Sequence, residues 1–123
     1  MSPQPLKKVL IVDDEQSMRD LLRLHLSNQG YQVLAAEDAI VAGHIVVSEK
    51  PDLLIVDVQM PYMNGYEFVE ALKGDPQTRD IPVVFLTTDD NVASQAKKLG
   101  AAAYLQKPVT ADRLLEVVDL FVG

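Results

Sequence analysis

The chain has 123 residues, of which 48% are apolar and 24% charged, and this fits one compact globular domain with its own core. It contains no cysteine, so disulfides, thiolate zinc sites and thiol catalysis are excluded. The formal net charge is −7, and because an acidic domain repels a phosphate backbone we expect no direct binding to nucleic acid.

The beginning of the chain lacks the pattern of a signal peptide or of a membrane span. The first apolar run, residues 9–12, is too short for either kind of segment, and Asp13 and Asp14 end it. We therefore expect a tail over residues 1–6, one domain over residues 7–123, a cytoplasmic location and no membrane partner.

Short apolar runs alternate five times with stretches of helical character. The runs are rich in Val, Ile and Leu, as in strands buried on both faces of a parallel sheet. The predicted strands cover residues 9–12, 31–36, 53–56, 82–86 and 102–105. Apolar spacing and end signals predict helices over residues 18–26, 39–49, 66–73, 92–99 and 111–121. The second helix is the weakest prediction, because Gly43 and several β-branched residues have poor helix propensity, whereas Thr110 is a good N-cap for the last.

Five strand–helix units in succession predict an α/β protein with a parallel sheet covered by helices on both faces. Right-handed crossovers limit the strand order to a few arrangements. In such sheets the ligand site lies beyond the carboxyl ends of the strands, at the point where the strand order reverses. The functional residues should therefore follow the predicted strands directly.

Polar side chains stand at the carboxyl ends of four predicted strands. Asp13 and Asp14 follow the first strand, Asp57 follows the third, Thr87 follows the fourth, and Lys107 lies two residues after the fifth. Taken singly, each residue also fits a helix cap or a turn. Together, three carboxylates that would repel one another suit a hard divalent cation such as Mg²⁺. A carboxylate nucleophile beside a metal and an ammonium group is suited to accept a phosphoryl group.

Five segments of the chain resemble the receiver domains of two-component response regulators. They are VLIVDDE at 9–15, PDLLIVDVQMP at 51–61, MNG at 63–65, PVVFLT at 82–87 and the stretch 100–108 with its Lys-Pro end. The resemblance covers the chain from Lys8 to Phe121. It implies a flavodoxin-like, doubly wound α/β fold, with a five-stranded parallel sheet in the order 2-1-3-4-5 and five helices.

The resemblance implies a chemical role for the residues at the strand ends. Asp57 is expected to accept the phosphoryl group, while Lys107 and Thr87 bind the phosphoryl oxygens. The peptide bond between Lys107 and Pro108 is expected to be cis, which proline makes accessible. Such a domain catalyses its own modification and turns over no independent substrate, so the chain is not expected to be an enzyme.

The resemblance also implies a metal site for Mg²⁺ or Mn²⁺. Asp14 and Asp57 are expected to bind the ion directly, and Asp13 through a water molecule. The backbone carbonyl of Gln59 is expected to complete the ligands that the protein supplies. These are oxygen donors throughout, as hard divalent cations prefer.

Two further groups of residues match positions that control receiver domains. Thr87 and Tyr104 match the switch pair, in which phosphorylation draws the threonine hydroxyl inward and the tyrosine turns into the freed space. Gln59, Thr88 and Asp89 match positions that tune the lifetime of the phosphoryl group. The residue after the switch threonine is usually very small in this family, so we expect the bulk of Thr88 to narrow access to the acceptor.

The partners implied by the resemblance are proteins. A sensor histidine kinase or a histidine phosphotransfer protein would donate the phosphoryl group, and an output protein or a fused output domain outside this chain would respond to it. Neither histidine of the chain is assigned a phosphotransfer role. His25 lies on the apolar stripe of the first helix, and His44 lacks a kinase-like sequence around it.

Three alternative functions stay open on the sequence alone. A degenerate receiver would act as a docking module without phosphorylation, although all the matching site residues are present here. A phosphohydrolase of the haloacid-dehalogenase type would carry two aspartates two positions apart after the first strand, whereas Asp13 and Asp14 are adjacent. A flavin-binding module would need a Ser/Thr/Gly-rich phosphate loop where these acids stand.

Overall fold

The computed structural model describes residues 6–122, so most of the tail expected over residues 1–6 lies outside the described residues. The strands are β1 (Lys8–Val12), β2 (Gln32–Ala36), β3 (Leu53–Val56), β4 (Val83–Thr87) and β5 (Ala103–Gln106). The helices are α1 (Gln16–Asn28), α2 (Ala39–Glu49), α3 (Gly65–Lys73), α4 (Val92–Leu99) and α5 (Ala111–Val122). Each predicted element is confirmed, with ends that differ by no more than two residues. None of the helices in this part of the chain is long and apolar enough to cross a membrane.

The five strands form one parallel sheet in the order β2-β1-β3-β4-β5, which confirms the predicted doubly wound fold. The strand order reverses between β1 and β3, so these two strands flank the switch point. Val12 at the end of β1 pairs with Val56 at the end of β3. The residues that follow, Asp13 and Asp57, are therefore neighbours at the carboxyl edge.

The sheet is buried on both faces, which explains its continuously apolar strands. Alternate residues of each strand point to opposite sides. One core cluster joins Leu10, Val12 and Phe85 to side chains of α2, α3 and α4. The other joins Val9 and Ile11 to side chains of α1 and α5. Two helices thus cover one face and three cover the other.

Helix α2 forms although its sequence has poor helix propensity. The Asp38 carboxylate caps it by accepting a hydrogen bond from the backbone N–H of Val41 (2.9 Å). Ala39, Ala42 and Val46 are buried against the sheet. Tertiary burial of this face outweighs the unfavourable propensity, which is the usual source of helix stability in a domain.

The first turn of helix α3 lies against the backbone of Asp57 and Val58, the residues that directly follow β3. A capping box joins Asn64 and Glu67, whose side chains each accept the other's backbone N–H. The N–H of Gly65 donates to the carbonyl of Val58 (2.8 Å). A Cβ at position 65 would lie 2.3 Å from the carbonyl oxygen of Asp57, so only glycine allows this approach.

We predict that Gly65→Ala lowers the free energy of unfolding by at least about 2 kcal/mol, because the added carbon meets backbone atoms that cannot move aside. Gly43→Ala is the matched control, since a Cβ there meets nothing within 4 Å and removes a glycine from the middle of α2. It should raise the free energy of unfolding by about 0.5–1 kcal/mol. Urea denaturation followed by circular dichroism measures both. Equal stability of the Gly65→Ala variant and the original chain would contradict the close approach.

Candidate functional site

Three carboxylates meet at the carboxyl edge between β1 and β3. Asp13, Asp14 and Asp57 each place a carboxylate oxygen within 4.8 Å of the others. Asp13 and Asp57 are almost fully buried, with 1% and 5% of their surface exposed, whereas Asp14 is exposed. The strand ends thus bring together the three acids that the sequence analysis assigned to one site.

Lys107 enters the same cluster from the end of β5. Its Nζ lies 3.1 Å from Asp13 Oδ2 and 3.5 Å from Asp57 Oδ2. Its backbone N–H donates to the carbonyl of Thr87 (2.8 Å), and the peptide bond to Pro108 is cis. The lysine therefore bridges two carboxylates and lies nearer to Asp13 than to the expected acceptor, Asp57.

Asp13 also anchors the start of α1. Its Oδ1 accepts a hydrogen bond from the backbone N–H of Glu15 (2.9 Å), and its carbonyl accepts one from Arg19 (2.8 Å). The N-cap of α1 is Glu15, so Asp13 does not cap the helix as its sequence position alone would allow; it stabilises the turn before the helix and contributes to the acidic cluster as well. With one oxygen bound to the backbone and the other to Lys107, Asp13 is fixed in place beside Asp14 and Asp57.

The cluster holds more negative charge than Lys107 neutralises. Burial, and then the nearby charge of Asp13, raise the pKa of Asp57, although Lys107 and the backbone N–H groups of Gln59 and Val58 partly offset this. Burial alone would lower the pKa of Lys107, but its hydrogen bond to Asp13 and the surrounding carboxylates outweigh burial and raise it. The ammonium group stays protonated while the carboxylates remain in electrostatic conflict.

These oxygen atoms fit a hard divalent cation. Asp14, Asp57 and Asp13 offer carboxylate oxygens within reach of one another, and Gln59 follows Asp57 by two residues at an exposed position. A divalent cation would relieve the repulsion that raises the pKa of Asp57. The donor set is all oxygen and partly open to solvent, which suits Mg²⁺ with retained waters.

The positions matched to the switch lie on β4 and β5. Thr87 is fully buried at the end of β4, and its Oγ1 accepts a hydrogen bond from the backbone N–H of Asp89 (3.2 Å). Tyr104 lies opposite Phe85 in the register of β4 and β5, and its side chain is 43% exposed. Thr88 is exposed beside the buried threonine.

Sequence reasoning missed the polar contacts that fix the segment between β4 and α4. The Tyr66 hydroxyl donates to Asp89 Oδ2 (2.6 Å), and the Gln106 amide donates to the carbonyl of Asp89 (3.4 Å). The sequence analysis predicts only that Tyr66 begins a helix. No local pattern signals the contact, because the two residues are 23 positions apart and belong to different elements.

The two histidines lie away from the acidic cluster's contacts. His25 is partly buried on α1 and lines a cavity with Pro108 and Leu114, whereas His44 is exposed on α2. Neither residue makes a hydrogen bond or ion pair with Asp13, Asp14 or Asp57. Both histidines therefore stay without an assigned role.

The chain is similar to receiver domains in sequence and in fold. Residues 9–119 match the family model of the response regulator receiver domain. The response regulator MprA of Mycobacterium tuberculosis is 38% identical over 110 residues, which make up 88% of this chain and 47% of MprA. The chain spans about half the length of the curated relatives that it matches.

Two solved structures share the fold over nearly the whole chain. The chemotaxis protein CheY4 of Vibrio cholerae has a TM-score of 0.89 and 33% identity, covering 96% of this chain and 100% of its own. The signal receiver domain of a histidine kinase from Syntrophus aciditrophicus has a TM-score of 0.86 and 32% identity, covering 94% and 89%. Domains of this shape thus occur in a chemotaxis protein and in a histidine kinase.

We predict that Asp57→Asn stabilises the metal-free protein at neutral pH. The pKa of Asp57 is higher in the folded state than in the unfolded chain, so the protonated carboxyl favours folding. This contribution to stability is complete below the pKa of the unfolded chain, and it is lost as pH rises through the higher pKa of the folded state. The variant should therefore gain little at pH 4 and about 1–2 kcal/mol at pH 7.5. Urea denaturation in chelator at both pH values measures the difference.

The exposed Asp80 provides the matched control for this experiment, because it lies before β4, at the opposite edge of the sheet. Asp80→Asn should leave the stability unchanged at both pH values within about 0.5 kcal/mol. A loss of stability in the Asp57→Asn variant at pH 7.5 without metal would show that Lys107 already compensates the cluster.

Proposed function

The chain belongs to the receiver domains of response regulators in two-component signalling, and we propose that it is a phosphorylation switch with Asp57 as its acceptor. One observation carries the proposal: the buried carboxylate of Asp57 lies 3.5 Å from the ammonium of Lys107, with Asp13 and Asp14 beside it. A reactive carboxylate, a cation-binding cluster and a fixed ammonium group are the parts that phosphoryl transfer to aspartate needs.

In the proposed reaction an oxygen of Asp57 attacks the phosphorus of a phosphohistidine on the donor protein. The new bond is an acyl phosphate, and the phosphorus–nitrogen bond breaks with the histidine as leaving group. Lys107 holds its charge throughout and pairs with the phosphoryl oxygens once Asp57 is modified. Thr87 donates its hydroxyl to another of these oxygens. Positioning and charge neutralisation supply most of the catalysis in such transfers.

Mg²⁺ or Mn²⁺ is the proposed cofactor, and when bound it would offset negative charge on the phosphoryl group. Asp14 and Asp57 would hold it directly, Asp13 through water, and Gln59 through its backbone carbonyl. The exposed position of Asp14 supports this assignment, since that residue has carboxylate oxygens facing solvent beside two buried carboxylates.

Phosphorylation is proposed to change a surface on α4, β5 and α5. As Thr87 moves toward the phosphoryl group, space opens beside it and the half-exposed Tyr104 turns inward. Gln59, Thr88 and Asp89 are proposed to set how long the phosphoryl group lasts. Such a switch works when the two arrangements differ by a few kcal/mol, so that one modification reverses their populations.

The proposed donors are a sensor histidine kinase or a histidine phosphotransfer protein. An output protein, or an output domain joined to the receiver in a longer chain, is the proposed responder. The domain limits of 7–123, the cytoplasmic location, the lack of independent turnover and the lack of direct nucleic-acid contact stay predictions. The acidic net charge of −7 supports the last of them.

We predict that a small acyl phosphate with Mg²⁺ adds the mass of one phosphoryl group to the chain. Chelation of the metal and Asp57→Asn should each abolish the gain, whereas the exposed control Asp80→Asn should keep it. Intact-protein mass spectrometry measures all four samples. A gain that persists in Asp57→Asn would move the acceptor elsewhere, and no gain in the original chain would favour a docking module without phosphorylation.

We predict that Thr88→Ala speeds phosphoryl entry or loss by about 2–10-fold, because a smaller side chain opens the entrance beside Thr87. Thr88→Val is the matched control: it keeps the bulk, removes only the hydroxyl and should retain the slower rates. Phosphorylation and dephosphorylation are followed by mass spectrometry over time. Unchanged rates in Thr88→Ala would show that bulk at this position does not limit access.

A further inference from the structure

Asp89 is the junction of the segment that joins β4 to α4, hereafter the β4–α4 segment (residues 88–91). Its backbone N–H donates to Thr87 Oγ1 (3.2 Å), and its carbonyl accepts from the Gln106 amide (3.4 Å). Its carboxylate accepts from the Tyr66 hydroxyl (2.6 Å) and from the backbone N–H of Asn91 (3.2 Å). One residue thus connects the buried threonine with α3, α4 and β5.

Tyr66 is a rigid anchor for this junction. Its ring packs edge-to-face on the fully buried Phe85, with centroids 5.2 Å apart and planes at 75°. It lies in the first turn of α3, which the capping box of Asn64 and Glu67 stabilises. Because the ring is fixed by packing and by a well-capped helix, its hydroxyl can hold Asp89 without a large loss of side-chain freedom.

The charges at this contact agree with its geometry. Burial, and then the hydrogen bond to Asp89, raise the pKa of Tyr66 well above its usual range. The same hydrogen bond, with that from Asn91, lowers the pKa of Asp89. At physiological pH the pair is therefore a neutral donor and an ionised acceptor, the stronger kind of hydrogen bond.

We propose that the Tyr66 hydroxyl is a latch that holds the β4–α4 segment, and through it Thr87, in the unphosphorylated arrangement. This inference rests on the proposed function, in which Thr87 moves toward a phosphoryl group on Asp57. The Thr87 oxygen is bound to the N–H of Asp89, so its movement either breaks that bond or draws the segment along. The segment can follow only if the contact between Asp89 and Tyr66 lengthens or breaks.

The latch acts as a difference between two states. A contact that is made in the resting arrangement and lost in the phosphorylated one lowers the population of the phosphorylated arrangement. A ligand that binds only the phosphorylated arrangement therefore binds more weakly. Removing the Tyr66 hydroxyl should therefore strengthen binding of a phosphoryl mimic. A hydrogen bond to a charged group that is partly exposed corresponds to about a three- to ten-fold change in affinity.

The test is Tyr66→Phe, which keeps the ring on Phe85 and removes only the hydroxyl. Beryllium trifluoride with Mg²⁺ serves as the acyl-phosphate mimic, and its apparent dissociation constant is measured by calorimetry. We expect the variant to bind about three- to ten-fold more tightly than the original chain. Tighter binding is a result that simple damage to the fold would not produce.

Tyr31→Phe is the matched control. Tyr31 also donates a hydrogen bond to an aspartate, Asp119, which lies on α5. Neither residue takes part in the hydrogen bonds of the β4–α4 segment. This variant should bind the mimic as the original chain does. Asp89→Ala removes the acceptor, so adding Tyr66→Phe to it should change the affinity no further if the hydroxyl acts through Asp89.

Two failures of the experiment are distinguishable. If the original chain binds the mimic and Tyr66→Phe binds it equally or less tightly, the latch is wrong and the proposed phosphorylation of Asp57 stands. If the original chain itself neither binds the mimic nor gains a phosphoryl group, the proposed function is wrong and the latch falls with it.

Discussion

Asp13 and Asp57 share one ammonium group at the edge of the sheet, and a third carboxylate, that of Asp14, lies beside them. Lys107 cannot neutralise all three, so the pKa of Asp57 is raised and the cluster favours a cation. In the proposed transfer, an incoming phosphoryl group would add negative charge to a region that already has an excess of it, so both the lysine and a metal ion would be needed to offset that charge. The proposed chemistry of the site follows from this repulsion among the carboxylates.

The fold keeps the carboxylates that repel one another close together. Strands β1 and β3 are adjacent and end in register at Val12 and Val56, so the chain cannot separate Asp13 from Asp57 without breaking the core. Gly65 then allows the first turn of α3 to lie against the carbonyl of Asp57. The stability of the two core layers supplies the free energy that keeps two buried carboxylates together.

The sequence predicted the strands, the helices and the polar residues at the strand ends, because apolar runs and aspartates after strands are local patterns. The strand order came from a resemblance to a family and not from those patterns. Helix α2 formed against its propensity, since burial of Ala42 and Val46 is a property of the tertiary fold. The closer pairing of Lys107 with Asp13, and the contact between Tyr66 and Asp89, depend on side-chain geometry that one-dimensional patterns do not contain.

The same side-chain contacts link the acidic cluster to the residues of the proposed switch. Thr87 lies one strand away from Asp57 and is tied by its own oxygen to Asp89, which in turn is bound to α3, α4 and β5. In the proposed switch, a change in charge at Asp57 would reach the surface through this short series of hydrogen bonds. Because the resting contacts would oppose the movement of Thr87, they would contribute to the free-energy difference that a phosphoryl group has to overcome. The sensitivity of such a switch would then depend on contacts outside the acidic cluster, and it could vary among sequences that keep the same three aspartates and the same lysine.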